Sequence, residues 1–544
     1  MRFAGFTLAL AGIFAGNALG QAPTVGGLVN NYSGIKPGLP NYGIAQGSIF
    51  SIYGTNFSAT AEGATLPLQT KLNGASVSVT VNGTTTNPLL YYVSSGQINA
   101  VLPSATPVGT GTITVTTSAG TSAAFSIQVV KSAFGLLTTN YGSGPAQGYD
   151  ANINPSNQYV LFGSSESANP GDILLLWGSG LGPVQGDATG VDITPHAQVY
   201  IGGIAANVQY AGRSGYTGLD QINVVVPSGL SGCYVSVAVV TGSYVSNFAT
   251  LPVAASGRTC SDTITPLSAS ILNGIAQKGS YSVGFVEVSK STTPGVGGFG
   301  GGTTDSGSAD FFKYTAINTD AYAGAFAFSS IGSCNLWSYT GSQTAPSPFT
   351  YTSLNAGQDV NINGPNGLIA MPLQTAAGFS FYTTPSSDKS FIPASGGSFT
   401  FDNGSGGPDV GAFTAQLQMA SPLTWTNMNS ISTVTRSAGV TVNWTGGDPS
   451  TYVTISGLSF GSLNGSTSNF VVGLFTCQAP TPADTFTVSP AVLLSLPPST
   501  TIGGFSISSL SVSNFTKPVP FTATGLDAGW VEASVDNTIT VTYQ

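Results

Sequence analysis

The chain predicts an all-β protein, with two tandem β-sandwiches followed by a larger β-sandwich region carrying one or two short helices. Three observations carry that prediction. Only 6% of the 544 residues are charged, so the Glu, Lys and Arg from which long amphipathic helices are built are scarce. Thr, Val, Tyr and Phe, which suit pleated strands, are plentiful, and 72 Gly supply turns between them. The third observation is an internal echo: Gly96 to Ser104 (Gly-Gln-Ile-Asn-Ala-Val-Leu-Pro-Ser) returns as Asp220 to Ser228 (Asp-Gln-Ile-Asn-Val-Val-Val-Pro-Ser). Each copy sets Ile98, Ala100 and Leu102, or Ile222, Val224 and Val226, on one face and polar amides on the other, which is the period of a strand.

Residues 1–20 read as a secretory signal. Arg2 supplies the positive end, Phe6 to Phe14 the apolar core, and Ala18-Leu19-Gly20 a small-residue cleavage site before Gln21. The apolar part is too short to span a bilayer, no cysteine follows the cleavage site, and no later apolar run reaches about 20 residues. A secreted or cell-surface protein that is not membrane-spanning is expected. Export makes Cys233, Cys260, Cys334 and Cys477 candidates for two disulfides rather than reduced thiols or metal ligands. Three pairings are possible, and chain position favours Cys233 with Cys260, around the last hairpin of one unit, and Cys334 with Cys477. A net charge of -9 leaves no basic field for a polyanion, which excludes nucleic acid as a partner.

Outward from the echo, Gly47, Gly54, Gln97, Ile98, Asn99 and Pro103 fall on Gly171, Gly178, Gln221, Ile222, Asn223 and Pro227, each displaced by 124 residues. An unchanged spacing over that length marks two copies of one unit, residues 21–131 and 132–260. Each opens with a glycine-bounded apolar run, Gly47 to Phe57 or Gly171 to Leu181. Thr112 to Thr117 or Tyr234 to Val240 follows the echo, and Ala124 to Val130 or Phe248 to Val253 is the last strand. Roughly seven short strands in about 110 residues is the rhythm of an immunoglobulin-like (Ig-like) sandwich. Lys131 to Asn169 reads as a hairpin-bearing bridge that packs against both units.

Gly47 to Phe57, Ile98 to Pro103, Gly109 and Phe125-Ser126-Ile127 together resemble the Ig-like fold of the IPT/TIG type, found in surface receptors and bacterial surface proteins. The second copy also resembles the uncharacterised C-terminal β domain of secreted acidobacterial proteins. That resemblance rests on Ile201-Gly202-Gly203, Val208 to Gly212, Gln221 to Pro227 and the Cys233 and Cys260 pair. It covers under half of the chain and implies a fold and export, and no reaction.

Residues 264–544 form the C-terminal β region. Thr265 to Lys278 has proline near its start and Gly279 after its end, the signature of a short helix, and Pro490 to Leu496 is a second. Strand-like runs recur from Tyr281 to Tyr543, interrupted by a glycine-rich loop over Pro294 to Gly307. Two packed sandwiches with a seam near Pro393, stapled by a Cys334 to Cys477 bridge, are expected.

Candidate chemistry is sparse. Gly457-Leu458-Ser459-Phe460-Gly461 fits a hydrolase nucleophile pattern, but the one histidine, His196, precedes it, so a chance match is the better reading. His196 alone makes no zinc site. Asp305 and Asp310, and Asp402 and Asp409, lie in Gly/Ser-rich stretches and read first as soluble loops and second as calcium sites; no other cofactor is expected. A glycosidase needs two carboxylates across a glycosidic bond, and their placement is decided by the fold. Trp425, Trp444, Arg436 and Tyr452 offer an aromatic face for a sugar, although alternation with Val440 and Val442 favours a core role for Trp444. Gln97, Asn99, Gln221 and Asn223 recur in both copies, which suits a structural task, hydrogen-bonding the backbone of a neighbouring loop. The composition therefore favours a non-enzymatic adhesion, matrix or binding protein whose partner is an extracellular protein or a polysaccharide. A secreted carbohydrate-active enzyme with accessory Ig-like domains, and a surface-layer or filament subunit, are the alternatives.

Overall fold

The computed structural model describes residues 21–152, 160–193, 197–261, 274, 277–293, 301–315, 329–340, 350–376, 378–385, 390–420, 422–462, 470–502 and 505–544. The expected signal segment, His196 and most of the expected helix over 265–278 lie outside the described residues. The described chain is nearly all β. The α-helix Pro490–Leu494 starts on a proline and falls within the second span expected to be helical.

In the first unit, Thr24–Asn30, Ile49–Thr55, Gln97–Val101, Leu89–Val93 and Glu62–Gly63 pair in that order as one sheet. Ile44–Ala45, Phe125–Val130, Gly109–Thr117, Ala75–Val81 and Lys71–Leu72 form the second. The alternation seen in sequence becomes burial: Ala75, Val77, Val79 and Val81 point inward while Ser76, Ser78 and Thr80 are half-buried. Phe50, Ile52, Ile98, Ala100, Ile113 and Ile127 fill the space between the sheets. Each of the larger side chains among these contributes about 1.5–3 kcal/mol through its removal from water.

The second unit repeats the pairing register of the first. Ile49 faces Val101 and Tyr53 faces Gln97, and Ile173 faces Val225 and Trp177 faces Gln221. Here, however, Ile204–Arg213 pairs with both Ala197–Ile201 and Asp220–Val225, so the two layers join along one path. The segment between the copies carries a hairpin, Thr138–Asn140 with Ser143–Ala146, and touches both units: the Tyr141 hydroxyl lies 2.7 Å from that of Tyr53, and Asn30 Nδ2 donates to Ala133 O. Gly148–Asp150 pairs with Ile173–Ser179, and Pro145 pairs with Thr250, so its backbone groups are satisfied within the second unit's sheets. Cys233 bonds Cys260. Nearby, Arg258 holds Asp150 at 3.0 Å and also pairs with Asp172.

The C-terminal region holds two cores, one around Val286, Phe311, Phe399 and Val531 and one around Trp444, Ile455, Phe475 and Val512. No seam near 393 divides them. Chain segments interleave, and one 14-stranded sheet runs through both, because Ala528–Thr540 lies between Ser280–Thr293 and Ser509–Phe515. Cys334 and Cys477 are directly opposed on neighbouring antiparallel strands, so their disulfide ties adjacent strands of one lobe rather than stapling two parts. Of the expected loop over 294–307, residues 302–307 belong to the strand Gly302–Thr315, and 294–300 lie outside the described residues.

Candidate binding groove

The first two units are locked together through polar groups buried between them. Arg213, at the end of a second-unit strand, is 1% exposed and lies 2.6 Å from Asp220, which is fully buried. Asp220 also accepts the backbone N–H groups of Gly180 (2.7 Å) and Leu181 (2.8 Å), while Arg213 donates to the Gly182 carbonyl (2.9 Å). Burial pushes the Asp220 carboxyl up to about 6, against the pull of Arg213 and the two N–H groups. From the first unit, Asn30 Nδ2 donates to Ser179 O (2.9 Å) and Ile49 N–H donates to Ser179 Oγ (2.8 Å). Ser179 in turn donates to Gly218 O at 2.6 Å.

That lock sets the turn Ser214–Leu219 against the outer face of the first unit. Gly218 has φ +79°, and a Cβ there would lie 2.8 Å from Ile49 Cγ1, so the approach requires glycine. Tyr91 of the first unit donates its hydroxyl to Thr217 O at 2.8 Å. Between the turn and the sheet lies an open groove of about 400 Å³, lined by Asn31, Tyr32, Ile49, Tyr91, Asn99, Tyr216 and Leu219. Tyr216 is 56% exposed. Ser51 Oγ lies 2.7 Å from Asn31 Oδ1 and 3.1 Å from Asn99 Oδ1, and Gln97 Nε2 donates to Asn99 Oδ1 at 2.8 Å. The amide oxygens are thus engaged by the protein. Asn31 Nδ2, Asn99 Nδ2 and the hydroxyls of Tyr32 and Tyr216 have no hydrogen-bond partner among the described residues. Burial, with Tyr91 and Asp220 nearby, pushes Tyr32 up to about 12, and burial also raises Tyr91, so both rings stay neutral at physiological pH.

The recurring amides take the same geometry in both copies, with Gln221 Nε2 donating to Asn223 Oδ1 at 2.8 Å. Each glutamine bonds its own strand neighbour two residues on rather than a loop backbone, because both side chains leave the strand on the same face. In the first copy that ladder is part of the groove floor. The tyrosines were not singled out in sequence, since Tyr32, Tyr91 and Tyr216 come from three separate segments. The available signal was a lone tyrosine between glycines, Gly215-Tyr216-Thr217-Gly218, where a hairpin turn needs no large apolar residue.

The calcium candidates do not gather. Asp305 and Asp310 sit on the strand Gly302–Thr315, five residues apart and therefore on opposite faces. Asp305 is paired with Lys290 at 2.7 Å and accepts the Ile392 N–H at 2.5 Å. Asp402 accepts from the Gly404 N–H of its own turn and from Asn361 on the neighbouring strand, and Asp409 accepts the N–H of Asn355 in a distant segment, so each is engaged in holding strands and turns together. Among the described residues no three His, Cys, Asp or Glu side chains are grouped to hold a metal ion. Trp425, Trp444 and Tyr452 are buried, and Trp444 donates to Thr481 O at 2.8 Å. Arg436 donates to Leu496 O at 2.7 Å, below the helix. These four form no sugar-stacking face. Ser459 is buried within a strand and donates to Pro497 O at 2.7 Å, which is no nucleophile elbow.

Among the described residues no group donates a hydrogen bond to the buried acid Glu532. Glu532, 9% exposed, stands beside Glu287 on the adjacent parallel strand, with Asp536 four residues on. Burial, then the charges of Glu287 and Asp536, push its carboxyl up to about 8.

A family model described as the IPT/TIG domain matches residues 34–129, which spans the first unit's strands from Ile44 to Val129. No curated protein matches the chain. Among solved structures, the chain is similar to a Bacteroides ovatus protein of the mixed-linkage glucan utilization locus, SGBP-B, in complex with a mixed-linkage heptasaccharide. The two are 14% identical with a TM-score of 0.20, over 48% of this chain and 62% of that one. It is also similar to domains 5–6 of the S-layer protein SbsC, at 16% identity and TM-score 0.16, over 42% of this chain and 98% of that one. A longer piece of SbsC, domains 4–9, matches at 11% identity and TM-score 0.17, over 93% of this chain and 83% of that one.

Proposed function

We propose that the protein is an exported, non-enzymatic binding protein of the cell surface or extracellular space, in which two tandem Ig-like units and a C-terminal β region present rigid surfaces to an extracellular polymer. The observation that carries this reading is the junction groove. It is concave, neutral and built from side chains of two units held in place by a buried ion pair. Candidate catalytic groups point the same way: Ser459 and the aspartates tested above are engaged in holding strands and turns. The two disulfides suit an oxidising compartment, in keeping with a signal segment at residues 1–20. On this reading the second unit belongs with the acidobacterial domain that its sequence resembles, and the protein needs no cofactor.

The test is to offer the exported protein a panel of polysaccharides and extracellular proteins and to follow both retention and chemical conversion. Retention with no release of reducing ends is expected. Hydrolysis that is lost on Asp402→Asn or Asp409→Asn, with folding intact, makes the protein an enzyme and ends this reading.

A further inference from the structure

The junction groove carries more information than the existence of a ligand, because its unsatisfied groups define a chemistry. Its lining has three phenol rings, two amides and two aliphatic side chains, and no acid or base. The single Ser51 hydroxyl proton goes to the amide oxygen of Asn31, the shorter contact, and Gln97 Nε2 donates to that of Asn99, so the amides offer N–H donors to an incoming molecule. Two phenol hydroxyls, on Tyr32 and Tyr216, remain able to donate and to accept. Tyr216 presents its ring at the rim of the groove, 56% exposed, on a turn pinned by the Ser214 N–H to Leu219 O bond (2.9 Å) and by the Gly218 contact.

Flat neutral rings beside fixed donors discriminate by shape and charge. An anion meets no cation in the lining, and a cation meets no carboxylate. A purely aliphatic ligand would leave four polar groups without partners as it displaced their water, at a penalty for each. A pyranose matches on both counts: its axial C–H face packs on an aromatic ring, and its hydroxyls accept from amide N–H groups while exchanging hydrogen bonds with phenols. The groove is open along the sheet face and not a closed pit, which suits a chain that passes through rather than a free monosaccharide.

We infer that the groove between the first two units is a binding site for a neutral polysaccharide, with Tyr216 as the stacking ring and Asn31 and Asn99 as hydroxyl-reading donors. This inference rests on the binding-protein reading and adds its ligand class and its residues. The second copy offers no equivalent. Leu175 stands where Ser51 holds the Asn31 amide, although the Gln221 and Asn223 ladder is intact.

Affinity electrophoresis of the full exported chain tests it. Gels would contain dextran, amylose, laminarin, galactomannan or hydroxyethylcellulose as neutral polymers, with carboxymethylcellulose and chitosan as anionic and cationic counterparts. At least one neutral polymer is expected to retard the protein, and Tyr216→Ala and Asn99→Ala are each expected to weaken that affinity about tenfold. Tyr216 is exposed enough for its truncation to leave the thermal unfolding curve unchanged, which keeps a loss of binding interpretable. The inference is overturned if no neutral polymer retards the protein or if only the charged polymers do. Retardation that is equal in both variants overturns the groove assignment and leaves the binding-protein reading standing. Shortening of the polymer with new reducing ends overturns the reading beneath it.

Discussion

The two copies of the repeated unit share a pairing register and differ in what a few positions do with it. Ser51 and Leu175 occupy equivalent places opposite Asn99 and Asn223, and Gly96 precedes one echo strand where Asp220 opens the other. In the first copy the serine holds the Asn31 amide and the outer sheet face becomes a polar groove floor. In the second copy the aspartate recruits Arg213 and two backbone N–H groups, and the hairpin above it becomes a rigid wall. A duplicated scaffold therefore takes on two roles through side chains that leave the strand pairing untouched. Neither copy has the groove by itself.

The strongest way to break this contrast is at Asp220. Asp220→Ala strands a buried guanidinium and is expected to destabilise the first two units by about 3–5 kcal/mol, measured by denaturant unfolding. Gly96→Asp, at the matching but half-buried site, should change stability by less than about 0.5 kcal/mol. Equal effects would mean that the two positions are not differently used. Replacing Arg213 with Leu in the Asp220→Ala background should recover part of the loss, because the unpaired charge is then gone.

A buried acid sharpens the same point. The folded state holds the Glu532 proton up to about pH 8, whereas the unfolded chain releases it near the ordinary 4.5. The raised value means that stability falls as pH rises between those limits, by about 1.4 kcal/mol for each pH unit attributable to this group. Glu532→Gln should flatten that slope and raise the melting temperature above pH 8, and leave it nearly unchanged below pH 4. A slope that survives the substitution assigns the titration elsewhere.

Smaller effects separate the lock from the groove. Gly218→Ala forces a Cβ against Ile49 at a positive φ and should cost about 1–2 kcal/mol by thermal unfolding, with weaker polysaccharide retention as the wall shifts. Ser51→Ala should cost about 1 kcal/mol and free the Asn31 amide to turn, so retention falls more than stability does. An equal Ser51→Ala loss in a variant that already lacks Tyr216 would show that the two act independently.

Strand positions were legible in the sequence wherever side chains alternate, and the displacement of 124 residues carried over to the observed hydrogen-bond partners. The seam near 393 was not legible. The pairing of Val283 with Ala528 joins segments with no local signal of each other, and it is what makes one sheet of the C-terminal region. Glycine and serine around Asp305 and Asp310 predict a loop, yet a 14-residue antiparallel partner overrides that weak propensity. The core role that alternation with Val440 and Val442 favours for Trp444 holds, and cross-strand pairing puts Trp425 inside beside it, so the alternative of a sugar face does not form. The groove escaped notice for the opposite reason. Its tyrosines look unremarkable in each segment, and only the docking of two units makes them neighbours.

The pairing of Ser280–Thr293 with Ala528–Thr540 also has a bearing on time. A ribosome adding about 5–20 residues per second makes the second strand on the order of ten to fifty seconds after the first. The antiparallel hairpin with Gly302–Thr315 needs no such wait, since its partner follows within a few residues. For that interval the other edge of Ser280–Thr293 stays open, with Val286 and Val288 lacking the neighbours that later bury them. The widest sheet of the molecule is therefore the last to close, and a chain in transit needs its edge shielded until the late strand arrives.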